Sequence, residues 1–168
     1  MSDIKKHIIF MHTNHTAAST VALMKRLLTM FPKTEFEPHL LELSGSRPDV
    51  EFQNYIKPLR QNLHLIFGFD CLGFWFQSLD DTPFFNTMWT PCVSYLTRPA
   101  AELSKELQYE MNLNVTLLCM TRQEEHYIRS RYPQYEDVRT IVNPMQNIQP
   151  LYQTLYEITK RYPAESGI

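Results

Sequence analysis

Residues 12–20, HTNHTAAST, place hydroxyl, amide or imidazole groups at seven of nine positions, directly after the apolar run IIFM at 8–11. Such groups at the end of a buried strand suit two kinds of chemistry. Thr13, Asn14, Thr16, Ser19 and Thr20 could wrap a phosphate at the start of a helix, where free amides and the helix dipole favour anions. Alternatively, His12 and His15, as loop histidines at the carboxyl edge of a sheet, could hydrogen-bond sugar hydroxyls or act as a base, or stand as solvated surface residues. Residues 12–20 contain no glycine, so a Walker loop or a dinucleotide fingerprint, both of which need the backbone to approach phosphate closely, is excluded. The same residue types also favour helix caps and turns with no ligand at all.

Other groups fall at strand ends. Asp70 follows the apolar run LHLIFGF and is a second candidate base, or a turn former. Arg98, Arg122 and His126 lie at or just beyond expected strand ends, where they could bind an anion or solvate the helices they open. His12 and His15 are three apart, but at a strand end and in a loop, with no third ligand close in sequence, so no metal site is expected. Cys71, Cys92 and Cys119 are far apart and lack any Cys-x-x-Cys pair, which points to reduced core thiols in a cytoplasmic protein. There is no Gly-x-Ser-x-Gly elbow.

These residues must be positioned by a recurring strand-then-helix pattern. Apolar runs of strand length occur at 7–13, 37–43, 63–69, 92–97, 114–120 and 138–142. Near-continuous apolar runs suit parallel strands buried on both faces. Helices are expected in VALMKRLLTMF, capped by Ser19 or Thr20; in VEFQNYIKPLRQ, opened by Pro48 and broken at Pro58; in AAELSKELQYEM after Pro99; in RQEEHYIRSRY; and in QPLYQTLYEITKRY. The expected fold is a three-layer αβα sandwich, Rossmann- or flavodoxin-like, with a mostly parallel sheet of five or six strands. Residues 70–91 interrupt the rhythm with Phe74, Trp75, Phe76, Phe84, Phe85 and Trp89. That stretch is expected to pack as core or interface, with a short strand at FWFQSL, while Trp75 or Trp89 could stack on a ring.

The 168 residues fit one domain, 1–168, with 163–168 as a loose tail. Sixteen basic and eighteen acidic residues give a net charge of −2. No Lys/Arg run is dense enough to track a phosphate backbone, so nucleic acid is not an expected partner. No apolar stretch is long enough for a signal h-region or a membrane span.

The second half carries a likeness. FFNTMWTPCVSYLTRPAAELSKEL and NVTLLCMTRQEEHYIRSRYPQYEDVRTIVNP resemble the N-terminal domain of bacterial GT-B glycosyltransferases of the spore-maturation type. The matching positions are Asn86, Pro91, Pro99, Cys119, His126, Tyr127, Ile128, Tyr132, Pro133 and Pro144. The pattern departs at Arg98, where the family has an acid, and after Cys119, where an acid is replaced by Met-Thr-Arg.

The resemblance implies an acceptor-side domain whose carboxyl-edge loops face a glycan or glycosylated acceptor. The nucleotide-sugar would be held by a C-terminal domain or a partner protein, without a metal and with no cofactor in this domain. On that reading His15 or Asp70 is the base, and Thr13, Asn14, Thr16, Trp75, Arg98, Arg122 and His126 contact substrate. Two rivals stand beside it: a flavodoxin-like electron carrier with FMN on residues 13–20 and a tryptophan over its ring, and a non-enzymatic interaction domain that uses its aromatic segment.

Overall fold

The computed structural model describes residues 4–111 and 114–161; the expected tail at 163–168 lies outside them. Its strands are β1 (Lys6–Thr13), β2 (Phe36–Leu43), β3 (Leu63–Phe69), β4 (Cys92–Tyr95), β5 (Val115–Cys119) and β6 (Asp137–Thr140). Its helices are α1 (Ala18–Met30), α2 (Pro48–Ile56), α3 (Ser104–Leu107), α4 (Arg122–Arg131) and α5 (Gln149–Thr159). The six strands form one sheet in the order β2-β1-β3-β4-β5-β6, with every neighbouring pair parallel. All six expected strands are present within two residues at each end.

The apolar pattern explains the layers. In β1, alternate side chains point to opposite faces. Ile8 and Phe10 join Leu23, Met24 and Leu27 of α1 and Leu151, Leu155 and Ile158 of α5. Ile9 and Met11 join Phe52 and Ile56 of α2, Leu107 of α3 and Ile128 of α4. The sheet is thus covered on both sides, as the continuous burial of β3 requires. Helix α5 packs back against the first half of the sheet: Tyr152 and Tyr156 pack on Phe31, the Tyr156 hydroxyl meets Glu35, and His64 of β3 meets the Thr159 carbonyl.

Local chemistry accounts for the start of α2 and for both ends of α4. Pro48 stands in the first turn of α2 with Asp49 and Glu51, acids that suit the positive end of the dipole. In α4 the Thr121 hydroxyl accepts from the Glu124 amide at 3.1 Å, Glu124 and Glu125 occupy the first turn, and Arg129 and Arg131 the last. Two expectations are corrected. The helix after Pro99 is a 3₁₀ turn over Ala100–Leu103 followed by the single α-turn of α3. Neither Ser19 nor Thr20 caps α1; both lie inside its first turn, and Ala17 precedes it without a side-chain acceptor.

The β3–β4 crossover is made by the aromatic segment, with a 3₁₀ turn at Phe84–Thr87 in place of an α-helix. Phe74, Phe76, Phe84 and Phe85 are buried with Phe52, while Trp75 and Trp89 are 41% and 62% exposed. The strand expected at FWFQSL is only an isolated antiparallel bridge between Gln77 and Pro83. It is tightened by hydrogen bonds from Ser78 N to Thr82 O and from Phe84 N to Phe76 O. Gly73 is required here: its φ is +92°, and a Cβ would come within 2.6 Å of Phe85 Cζ.

Candidate functional site

After β1 the chain forms β2 on one side of it and β3 on the other, so the order reverses between β1 and β3. Open α/β sheets bind ligands in the crevice outside the carboxyl ends at such a switch point. A cleft of about 440 Å³ opens there, lined by the loops after β1, β3 and β4 and by one residue of α3, Glu106. That volume lies in the range of small-ligand sites.

The loop after β1 satisfies itself. Thr16 N donates to Thr13 O at 3.1 Å, Thr13 N donates to the Thr16 hydroxyl at 3.0 Å, and His15 N donates to the Thr13 hydroxyl at 3.2 Å. These hydroxyls therefore close a turn before α1 begins. His15 is exposed at the cleft wall, and Ala17 and Thr20 extend that wall.

The loop after β3 starts in a two-residue turn with Asp70 and Cys71 at φ 51° and 60°, closed by Leu72 N donating to Phe69 O at 3.1 Å. Asn-Gly would be the usual occupant of this mirror-image turn. What holds Asp-Cys there is tertiary. The Asp70 carboxylate accepts from Thr97 N at 2.7 Å, from the Thr97 hydroxyl at 2.6 Å and from Arg98 N at 3.1 Å. Cys71 N donates to the Ser94 hydroxyl at 2.8 Å. Asp70 therefore ties the β3 loop to the β4 loop, a structural duty that occupies both its oxygens. Burial pushes the Cys71 thiol far above its ordinary range, and burial does the same to Cys92 and raises Cys119, so none is a ready nucleophile.

Trp75 and Arg98 complete the lining. The Trp75 ring stands edge-to-face on Phe76 with centroids 4.7 Å apart, which anchors it while its outer part faces solvent. The Arg98 guanidinium is exposed and pairs loosely with Glu102 at 3.4 Å.

Of the residues singled out in the sequence, Thr13, His15, Thr16, Asp70, Trp75 and Arg98 meet in this one cleft. Asn14 does not: it lines a second cleft, on the other side of the β1 loop, with His12, Lys25 and Glu42. Arg122 and His126 are exposed on α4 and line neither cleft, because the β5 loop that opens α4 lies beyond β4 from the switch point. Thr97 and Glu106 were missed; Thr97 follows a strand immediately and was findable by the same strand-end rule, whereas Glu106 reaches the cleft only through tertiary packing.

At the opposite end of the sheet the described residues hold one further group. His7, Glu37 and His39 bring a ligand atom each within 4.8 Å of one another.

No protein-family model, no curated protein and no solved structure matches this chain. Among the described residues no helix is long and apolar enough to cross a membrane.

Proposed function

We infer that the switch-point cleft binds a sugar-bearing acceptor and that the chain acts as the acceptor-side half of a GT-B-type glycosyltransferase in the cytoplasm. The observation that carries this reading is Trp75, an anchored, half-exposed indole beside a polar cleft. Such a ring offers an apolar platform to a pyranose face, while surrounding polar groups meet its hydroxyls. Arg98, Thr20 and Glu106 supply those groups, since the Thr13 and Thr16 hydroxyls are engaged with their own loop.

With Asp70 committed to the β4 loop, His15 is the better base. Its imidazole would take the proton of an acceptor hydroxyl as that oxygen attacks the anomeric carbon and the bond from that carbon to the phosphate oxygen of the nucleotide breaks, the nucleotide leaving with the bonding pair. The nucleotide-sugar would come from a C-terminal domain or partner protein. The likeness carried by Cys119, Tyr127, Ile128, Tyr132 and Pro133 supports this assignment.

A second reading is favoured by one observation: flavodoxins share the run β2-β1-β3-β4-β5 and hold FMN at this same switch point. The internal hydrogen bonds of Thr13 and Thr16 count against a hydroxyl-wrapped phosphate there. An absorption spectrum of the purified protein, followed by a thermal-shift screen with FMN, nucleotide-sugars and simple glycans, separates the two. The glycosyltransferase reading expects a colourless protein stabilised by a glycan and not by a nucleotide-sugar alone. Flavin absorption, or stabilisation by FMN only, overturns it.

A further inference from the structure

The amino end of β1 presents two imidazoles and a carboxylate from residues about thirty positions apart in sequence. Strand register makes them neighbours: His7 pairs with Glu37 and Ile9 with His39, so the alternation within β2 puts Glu37 and His39 on one face. Nδ1 of His7 lies 3.0 Å from Nε2 of His39 and 3.9 Å from Oε2 of Glu37. A tetrahedral ion with metal–nitrogen bonds of about 2.0–2.1 Å holds its ligand atoms about 3.3 Å apart. The spacing of the ring nitrogens is close to that already.

The surroundings also suit an ion. Nδ1 of His39 lies 2.8 Å from the Tyr55 hydroxyl of α2, the outer contact that orients a ligating imidazole and fixes its tautomer. With that nitrogen donating to Tyr55, Nε2 carries its lone pair toward His7. Glu37 is 55% exposed on the edge strand β2, which leaves the remaining coordination positions open to water.

We propose that His7 Nδ1, His39 Nε2 and the Glu37 carboxylate form a binding site for a divalent first-row metal ion, Zn²⁺ by ligand type. Two imidazoles and one carboxylate suit zinc and its neighbours and disfavour calcium or magnesium. The site is independent of the acceptor-binding reading. Thr13 lies six residue steps along the strand from His7, so the two ends of β1 stand roughly 20 Å apart.

The test is a titration of the untagged, chelator-treated full chain with Co²⁺, read by its visible ligand-field bands, and with Zn²⁺, read by calorimetry and by displacement of Co²⁺. One ion per chain is expected, with at least a tenfold loss of affinity in His7→Gln and His39→Gln. Circular dichroism checks that each variant is folded. Tyr55→Phe, which leaves all three ligands in place, is expected to weaken binding by about tenfold or more. His126→Gln is expected to bind as the parent chain does. Absence of Co²⁺ bands and of Zn²⁺ heat up to millimolar metal overturns the proposal. So does metal binding that survives unchanged in both folded histidine variants, which would leave the two rings as a simple shared-proton pair. Because the glycan screen reads the other end of β1, its outcome and this one are separable.

Discussion

The two ends of β1 use similar residue types to opposite effect. At the carboxyl end, Thr13, His15 and Thr16 turn their hydrogen bonds inward and close a loop. At the amino end, the His7 and His39 rings share one hydrogen bond and the Glu37 carboxylate stands 3.9 Å from the same His7 nitrogen. A group of polar side chains is thus no guide to binding until its partners are known: the first set has satisfied itself, whereas the second holds two nitrogens around one proton that an ion could replace. What remains open at the carboxyl end is a shape, a cleft with an indole at its wall, and the chemistry there falls to the few groups the turns leave free.

The largest expected effect tests how far the carboxyl-end loops depend on one glycine. In Gly73→Ala the new Cβ meets Phe85 Cζ at 2.6 Å and Met11 Cε at 3.0 Å, at a backbone φ of +92°. Overpacking costs about 1–3 kcal/mol, and the backbone conformation adds about 1–3 kcal/mol. Urea unfolding should show the sum, and an unchanged midpoint would mean that the loop has another stable packing.

Asp70→Ala removes three hydrogen bonds to an ionised group and should destabilise by about 1.5–3 kcal/mol. It should also raise hydrogen exchange at the Thr97 and Arg98 amides. If stability is unaffected while glycan binding is lost, Asp70 acts on the ligand and the division between the two ends of β1 fails at that residue.

Trp75→Ala sharpens the contrast from the other side. The ring is half exposed, so stability should move by no more than about 0.5 kcal/mol, whereas glycan-induced stabilisation in a thermal shift should disappear. Retention of the glycan response would remove the indole from the site.

The smallest effect belongs to the amino end. His39 has a pKa below its ordinary 6.5 because of burial and the adjacent His7, with Glu37 on its own strand pulling the other way and the Tyr55 hydroxyl facing it from α2. The unfolded chain therefore takes up a proton before the folded chain does. His39's contribution is complete above about pH 6.5 and is lost as pH falls through its lower native midpoint. His39→Gln should flatten that decline in urea midpoints measured on either side of pH 6.5; the same slope in both proteins would assign it to other groups.

Legibility in the sequence followed the range of the interactions. The β3 run LHLIFGF announced a strand buried on both faces, and its expected span, 63–69, matches the observed one. The sheet's parallel character followed from similar runs, and the strand-end rule gathered six candidates into one cleft. The cap of α1 misled because Ser19 and Thr20 are good cap residues by type, but the Thr13–Thr16 turn closes first and starts the helix at Ala18. The turn at Asp70-Cys71 was invisible because its usual signal, Asn-Gly, is missing and a tie to Thr97 replaces it. The histidine cluster was unreadable for a simpler reason: nothing in the sequence states that residue 7 pairs with residue 37, although the spacing of Glu37 and His39 on a strand does put both on one face.

The return of α5 across the sheet has a consequence for how the chain is made. Leu151, Leu155 and Ile158 cover the same face of β1 and β3 that α1 covers, so these strands, made before α5, stay half-roofed until residues 149–159 follow them. Synthesis proceeds at about 5–20 residues per second. Ile8, Phe10, Leu65 and Phe67 must therefore wait seconds for their last neighbours. During that interval part of this face stays open to water.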